Sequence, residues 1–396
     1  MLFEEMKKIG IAGTNGKTTT AKMIYHVLRE QGVYVGFISK EEISTNGEKL
    51  ETDFSHLNIE NIFYLSDEMT KKNVEIIIME IDHSFFDKKV LQGMDFDMIV
   101  YTSIEMDDIK NIDETKKYMD LQKDILSNLS HKGILIINTD DKNSFKLLEN
   151  IKNRLIITYG FSSKATITAS SIEIAPIEFN CCIQRGITSL NNIDLEPMEV
   201  PIAMNFIGKH NVYNALAAIT AVLILGISPE NVRNALKELK KIKRRMYKIQ
   251  DNEYQIIDDR CENPASFEVV FEAVQSVDYK KLTIVNSIIG NKGIELNKRN
   301  ARIIANWIKG LKSAKLITTC SIDVVEDEDQ VSEDEKKGFY EVLREDEIVY
   351  EHKERLEDAL NSALSHAGRK DLILLLGGRG MDQGENLIKK LLKEKK

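Results

Sequence analysis

The stretch Ile9-Gly10-Ile11-Ala12-Gly13-Thr14-Asn15-Gly16-Lys17-Thr18-Thr19-Thr20 constrains this chain more than any other. It reads as an apolar strand, a glycine-bearing turn, and the start of an amphipathic helix continued by Ala21, Ile24, Tyr25, Val27 and Leu28. Such a junction presents backbone N–H groups at a helix N-terminus, where the dipole is positive and anions bind. Gly16-Lys17-Thr18 falls at the junction, so the stretch reads as a phosphate-binding loop. The backbone of Gly13, Thr14, Asn15, Gly16 and Lys17 would cradle a polyphosphate, with Thr19 in the first helical turn behind it. Lys17 would reach the β- and γ-phosphates, and the Thr18 hydroxyl would ligate Mg²⁺. Ile11 stands where the general pattern has its first glycine. The competing reading is an ordinary glycine turn before a helix.

Length and composition bound the rest. At 396 residues the chain can form two or three domains, each burying its own core. With 42% hydrophobic and 30% charged residues it has a globular composition, not a disordered one. A net charge of −9 argues against a general nucleic-acid surface. No apolar run approaches the ~20 residues of a membrane helix. A secretory leader is not expected either, because the loop-forming strand begins by about residue 8. Cys181, Cys182, Cys261 and Cys320 show no C-x-x-C spacing. They read as reduced thiols of a cytoplasmic protein, with neither a zinc ribbon nor a disulfide framework.

From residue 8 to 150, apolar strands alternate with helical patterns: strands over Val33–Ser39, Val74–Glu80, Asp97–Ser103 and Gly133–Asn138, helices over Ile59–Lys72 and Thr115–Leu129. This predicts an α/β doubly wound sheet whose strands, buried on both faces, read as continuous apolar runs. Ligands of such sheets bind beyond the carboxyl ends of the strands. Glu80 closes Ile76-Ile77-Ile78-Met79 at such an end, and a carboxylate there suits a Mg²⁺ ligand, direct or through water. The alternative is a solvated strand-end Glu. Residues 155 to 205 hold short β-like runs, Thr166–Ile174, Phe179–Gly186 and Ile193–Val200, which predict a small antiparallel excursion. A basic run, Lys240-Lys241-Ile242-Lys243-Arg244-Arg245, then marks a boundary between domains of residues 1–242 and 243–396. Beyond it, strands near Tyr254–Asp258, Leu282–Ile288, Ala314–Thr319 and Asp371–Leu376 alternate with helices, as in a second, Rossmann-like α/β domain.

The spelling Gly13-Thr14-Asn15-Gly16-Lys17-Thr18-Thr19 resembles the Mur ligase family, most closely its MurE-like branch. Five further stretches and Arg245 carry the resemblance. Tyr101-Thr102-Ser103-Ile104-Glu105-Met106-Asp107-Asp108 resembles Phe-Thr-Asn-Leu-x-x-Asp-His, with Asp108 in place of the final His. Gly208-Lys209-His210-Asn211-Val212-Tyr213-Asn214-Ala215-Leu216-Ala217-Ala218 resembles a second family signature. Arg245 takes the place of a nucleotide-contacting arginine, and Asp259-Arg260-Cys261-Glu262-Asn263-Pro264 resembles Asp-Tyr-Ala-His-Asn-Pro. Gly290 to Arg299 resembles a glycine-rich loop ending in Lys-Arg, and Gly377-Gly378-Arg379-Gly380-Met381 resembles Gly-Lys-Gly-His-Glu without its His and Glu.

The resemblance implies an ATP-dependent carboxylate–amine ligase: a P-loop ATPase domain followed by a Rossmann-like ligase domain, acting through an acyl phosphate. It implies ATP and two Mg²⁺ ions as cofactors. Metal ligands would be Thr18, Glu80, Asp108 and Lys123, with Lys17, Glu80, Asp108 and Lys123 the catalytic set. Lys123 lies fifteen residues after Asp108 and eight after Thr115, the spacings of a family lysine that carries a carbamate. A buried amine with a depressed pKa can capture CO₂ and so become a carboxylate ligand. The alternative is a solvent-facing helix lysine, since Lys116 and Lys117 are near. Beside the P-loop residues, His210, Asn211, Asn214, Arg245 and Asp259 would contact the nucleotide. Asn138-Thr139-Asp140-Asp141 matches a family turn and equally reads as a helix cap.

The resemblance covers two of the three Mur domains; the N-terminal domain that holds the UDP-sugar is not expected here. The Asp-Asn-Pro-Arg motif that reads diaminopimelate is replaced by Thr318-Thr319-Cys320-Ser321-Ile322. Expected partners are a small-molecule carboxylate and an amino acid, with no nucleic acid and no membrane. A folylpolyglutamate-like ligase, a MurT-like subunit with a glutaminase partner, and a degenerate nucleotide-binding regulator stay open. The missing zinc-type cysteines weaken the glutaminase-partnered form.

Overall fold

In the computed structural model, all residues are described except 1, 2, 4, 53, 55, 83, 84, 87, 105–111, 149–153, 312, 395 and 396. The chain divides into two units, Met1–Asn205 with Lys209–Lys240, and Phe206–Gly208 with Lys241–Lys396.

The first unit opens with β1 (Lys7–Ala12), α1 (Lys17–Glu30), β2 (Val35–Ile38), β3 (Ile43–Thr45), β4 (Glu48–Lys49) and α2 (Ile59–Lys71). It continues through β5 (Ile76–Glu80), α3 (Lys88–Gln92), β6 (Phe96–Tyr101), α4 (Ile112–Ser127), β7 (Leu129–Asn138), α5 (Ser144–Leu147) and β8 (Leu155–Tyr159). Next come β9 (Ile167–Ile174), β10 (Ile177–Ile183), β11 (Ile187–Thr188), β12 (Asp194–Leu195), β13 (Met198–Met204), α6 (Lys209–Ile224) and α7 (Pro229–Glu238). One sheet runs β13-β10-β9-β8-β7-β6-β1-β5-β2-β3-β4. Its middle, β2-β5-β1-β6-β7-β8, is parallel. These strands are apolar along their length because helices cover both faces; Ile9, Ile11, Ile77, Ile78, Ile99 and Ile136 are fully buried. The expected antiparallel excursion forms as β9, β10 and β13. It is not a separate sheet: Tyr159 pairs with Ile167, so the excursion continues the main sheet. In β13 the buried residues alternate, Val200, Ile202 and Met204, as a half-covered strand requires. Helix α6 is buried from Asn211 to Ile224 apart from Tyr213, and it packs on α1.

The second unit contains β14 (Tyr247–Asp251), β15 (Gln255–Asp259), α8 (Pro264–Val274), β16 (Leu282–Ser287), α9 (Ile294–Gly310) and β17 (Ala314–Thr319). It ends with α10 (Glu333–Glu345), β18 (Tyr350–Lys353), α11 (Leu356–His366), β19 (Leu372–Leu376) and α12 (Gly384–Glu394). Its sheet order is β14-β15-β19-β16-β17-β18, parallel except for β14. The period-two alternation of the strands builds two cores. Ile257, Ile284, Leu316 and Leu374 pack with Phe271, Ile304 and Phe339. Ile256, Val285, Ile317, Ile373 and Leu375 pack with Leu360, Ala363 and Ile388. This is the three-layer arrangement expected of a Rossmann-like domain. Among the described residues, no helix is long and apolar enough to cross a membrane.

Candidate active site

Strand β1 lies between β5 and β6, with Ile11 opposite Glu80 and Ala12 opposite Tyr101. Three strand ends therefore meet where the glycine turn begins. Gly13 has φ 129° and Gly16 has φ 84°, left-handed conformations that L side chains rarely adopt. A Cβ on Gly13 would lie 2.4 Å from Thr102 Oγ1, and one on Gly16 would lie 2.3 Å from Asn214 Oδ1. The loop is tied down from the β6 side. Thr14 N donates to Ser103 O at 2.7 Å, Asn15 N donates to Ser103 Oγ at 3.2 Å, and Thr102 Oγ1 donates to Asn15 O at 2.6 Å. From α4, Tyr118 shares a hydroxyl hydrogen bond of 2.7 Å with Thr14. These contacts hold the loop's backbone in place and engage the Thr14 and Asn15 N–H groups.

Lys17 Nζ donates to Gly13 O at 2.9 Å and Thr14 O at 3.1 Å, which holds the ammonium against the loop. Thr18 Oγ1 donates to Glu80 Oε1 at 2.8 Å and Oε2 at 2.9 Å. A hydroxyl and a carboxylate in contact beside an anion-binding loop are the hard oxygen donors that Mg²⁺ takes. On α6, Asn214 Nδ2 donates to Asn211 Oδ1 at 3.1 Å, and Asn214 Oδ1 lies 3.5 Å from Thr20 Oγ1. His210, in the first turn of the same helix, is half-buried, and loss of water around the ring pulls its pKa down to about 4. It is a neutral imidazole at pH 7. Tyr213 packs against Phe161 with ring centroids 4.1 Å apart and planes tilted by 35°, and its hydroxyl donates to Asp140 Oδ2 at 2.9 Å.

In the second unit, Arg244 has φ 58°, and its guanidinium reaches Asp258 Oδ1 at 3.1 Å, the carbonyl oxygens of Gly377 and Gly378, and the Asp382 carboxylate. Burial pushes the Asp258 carboxyl up to about 6, against the pull of Arg244. Asp259 accepts from Met246 N at 2.6 Å and lies under the field of Arg245. Arg260 Nε donates to Glu262 Oε1 at 2.8 Å. The residues standing for the family's Tyr and His thus pair with each other as a cation and an anion.

Residues 11–222 match the pattern described as the Mur ligase middle domain, and residues 244–379 match the Mur ligase, glutamate ligase domain. The chain belongs to the Mur ligase family. Its relatives include the UDP-N-acetylmuramoyl-L-alanyl-D-glutamate--2,6-diaminopimelate ligases of Parabacteroides distasonis and Clostridium acetobutylicum. The first is 24% identical over 93% of this chain and 72% of the relative, the second 26% identical over 95% and 73%. Among solved structures, MurF from Acinetobacter baumannii has a TM-score of 0.71 at 17% identity, covering 98% of this chain and 77% of that one. A pseudomurein peptide ligase type C from Methanothermus fervidus has a TM-score of 0.68 at 22% identity, covering 98% and 79%. MurF from Thermotoga maritima, solved in complex with ADP, has a TM-score of 0.69 at 14% identity, covering 99% and 81%. Mur ligases are ATP-dependent, ADP-forming amide ligases that act on small molecules with Mg²⁺, and this chain is an enzyme of that class.

Within this Mur ligase, the fold brings together Gly13, Thr14, Asn15, Gly16, Lys17, Thr18, Glu80 and Asn214, with Asn211 behind Asn214. Thr19 is buried on α1. In the second unit the charge of Arg245 acts on Asp259. Asp108 falls within residues 105–111, outside the described residues. Lys123 is half-buried on α4 beside Gln122, whose backbone oxygen accepts from the buried Tyr101 hydroxyl at 2.7 Å. Asp141 accepts from Ile104 N, Asn143 N and Ser144 Oγ, so it ties the start of α5 to the segment after β6; the N-cap of α5 is Asn143, which makes no side-chain cap bond. Sequence reasoning did not single out Thr102, Ser103 and Tyr118 as supports of the loop, nor Phe161 and Arg244. A hydroxyl run directly after a buried strand is the available signal for the first two; nothing local marks Tyr118 or Phe161.

Proposed function

We propose that this chain joins a small-molecule carboxylate to an amino-acid amine at the expense of ATP, through an acyl phosphate. Residues 1–242 are the ATP-binding domain in this reading, and residues 243–396 the domain that presents the second substrate. The observation that carries it is the contact of Thr18 with Glu80 beside a loop that also holds Lys17. The N–H groups at the start of α1, beyond Thr14 and Asn15, whose own N–H groups go to Ser103, would bind the β- and γ-phosphates with Lys17 and draw off charge as the γ-phosphoryl group moves. Thr18 and Glu80 would hold the Mg²⁺ ion, and Asp108 with a carbamylated Lys123 a second. Bound there, the ions supply charge neutralisation on the phosphate oxygens. Asn211, Asn214 and neutral His210 face the base end of the nucleotide, and Arg245 and Asp259 are further nucleotide contacts.

In the first step the substrate carboxylate oxygen attacks the γ-phosphorus and ADP leaves. In the second the amine attacks the acyl carbon, phosphate leaves, and the nitrogen loses its extra proton. The MurE-type relatives act on diaminopimelate and a UDP-muramoyl dipeptide; here the residues Thr318 to Ile322 stand where their diaminopimelate-reading motif is expected, so another amine is the favoured substrate.

The test is phosphate release from ATP and Mg²⁺ with amino-acid pools and a metabolite extract, followed by product mass spectrometry. The expected products equal acid plus amine less water, and Lys17→Ala abolishes them in a folded protein. ATP turnover indifferent to every amine would mark a regulator instead. Near-normal turnover in folded Lys17→Ala would overturn the loop assignment.

A further inference from the structure

Strands β17 and β18 form one edge of the second unit's sheet, in parallel register with Thr318 opposite His352 and Thr319 opposite Lys353. That register sets Cys320 and Glu354, each just past its strand end, side by side with His352. The Cys320 Sγ, a His352 ring nitrogen and a Glu354 carboxylate oxygen all lie within 4.8 Å of one another. The imidazole is oriented from behind: Nδ1 faces the Tyr340 hydroxyl and Thr318 Oγ1, the latter at 3.2 Å. In the tautomer whose Nδ1–H donates to these hydroxyls, the ring's lone pair is on Nε2, the form that ligates a metal. Nε2 is buried and has no aligned hydrogen-bond partner among the described residues; Glu354 Oε1 is 3.2 Å away but out of line. Cys320 is 4% exposed, while Glu354 opens to solvent and gives a path of entry.

We propose that Cys320, His352 and Glu354 form a binding site for a zinc-class divalent cation. Sulfur, imidazole nitrogen and carboxylate oxygen are the donor types that Zn²⁺ takes in tetrahedral sites. Mg²⁺ and Ca²⁺ prefer oxygen alone, so they do not compete here. Metal–donor distances of about 2.0–2.3 Å place tetrahedral donors roughly 3–4 Å apart, a contraction that small side-chain rotations provide. The hydroxyls behind Nδ1 are the outer partners that orient a ligating histidine. Three protein donors leave the fourth position to water or to an amine or carboxylate from a small ligand. One charge opposes the cation: the Lys336 ammonium pairs with Glu354 Oε1. The metal must take this carboxylate from Lys336, so removal of the ammonium strengthens the site.

The experiment uses the full chain, stripped of metal and nucleotide, titrated with Co²⁺ alone. The expected result is a thiolate-to-cobalt charge-transfer absorption that saturates at one ion per chain and is displaced by Zn²⁺. It disappears in Cys320→Ser, weakens by about tenfold or more in His352→Gln, and forms at lower cobalt concentration in Lys336→Met. Absence of the absorption in the unsubstituted chain overturns the site, as does its persistence in Cys320→Ser. Should Cys320→Ser not fold, the other two variants decide: cobalt affinity unchanged in both overturns the proposal.

Discussion

Thr18 Oγ1 donates to both carboxylate oxygens of Glu80, at 2.8 and 2.9 Å, so the start of α1 and the end of β5 bring their oxygens to one place. If both side chains act on the same Mg²⁺, their losses do not add. Thr18→Ala and Glu80→Gln should each slow ATP turnover by about 10²–10³-fold, and the double variant should be slower than the worse single by no more than a few-fold. Single-turnover phosphate release across a Mg²⁺ titration makes the measurement. Multiplying losses would assign the two residues to separate tasks.

Arg244 and Arg245 are neighbours with different work. The Arg244 side chain is 11% exposed and faces Asp258, 2% exposed, as well as Asp382. Arg244→Met strands these carboxylates and should destabilise the second unit by about 3–5 kcal/mol. Arg245→Met takes a cation from beside buried Asp259, so it should also destabilise the unit, though by less than Arg244→Met, and should in addition weaken ADP binding. Urea unfolding and calorimetric ADP titration separate the two. Equal destabilisation by both variants would contradict this division.

That division shows what the sequence could and could not disclose. The basic run before residue 246 announced a boundary, and the family pattern pointed to Arg245. Which arginine turns inward depends on the left-handed backbone at Arg244 and on carbonyls more than 130 residues downstream, at Gly377 and Gly378. The parallel cores were legible because strands covered on both faces must be apolar throughout, as in Ile76–Met79 and Leu372–Leu376. Edge strands were not: β14 (YKIQD) and β18 (YEHK) carry charges on residues that are half-buried or exposed, so no apolar run marks them. The Glu80 contact could be inferred because Glu80 closes an apolar strand and Thr18 opens the helix that follows another. The Tyr118–Thr14 bond spans 104 residues and two ordinary polar side chains, and only the packed helix reveals it. The same holds for Cys320, His352 and Glu354, whose 32-residue separation has no metal-site spacing until β17 and β18 pair.

His210 gives a pH dependence with a definite sign. Its pKa in the fold is about 4, below the ordinary histidine value of about 6.5, because the ring gives up water on burial. The unfolded chain therefore takes up a proton first as pH falls. The stability from neutral burial is complete above about pH 6.5 and drains away between about 6.5 and 4. Since the ring is only half-buried, roughly 1–3 kcal/mol is at stake. His210→Asn should flatten this part of the curve. Urea-unfolding free energies at pH 7 and pH 5 check it, with carboxylate titration common to both proteins. A variant whose stability falls as steeply as the parent's would refute the shift.

Lys123 offers the sharpest test of the proposed second metal position. It lies between buried Met119 and Leu126 along the edge of α4's inner face, one residue after Gln122 and five after Tyr118. Its stem is thus partly sheltered, on the helix that already touches the P-loop through Thr14. As a carbamate, the side chain presents two oxygens on a long arm, and no unmodified residue matches that reach. Lys123→Ala should lose most ligase activity, by about 10²-fold or more. ATP binding should survive, since Lys17, Thr18 and Glu80 are untouched. Acetate or formate should partly restore turnover by filling the vacated carboxylate position, and Lys123→Glu should keep a fraction with its shorter arm. Bicarbonate depletion should slow the unsubstituted enzyme and leave Lys123→Glu unaffected. Full activity in Lys123→Ala would return this side chain to the ordinary role of a helix-surface lysine.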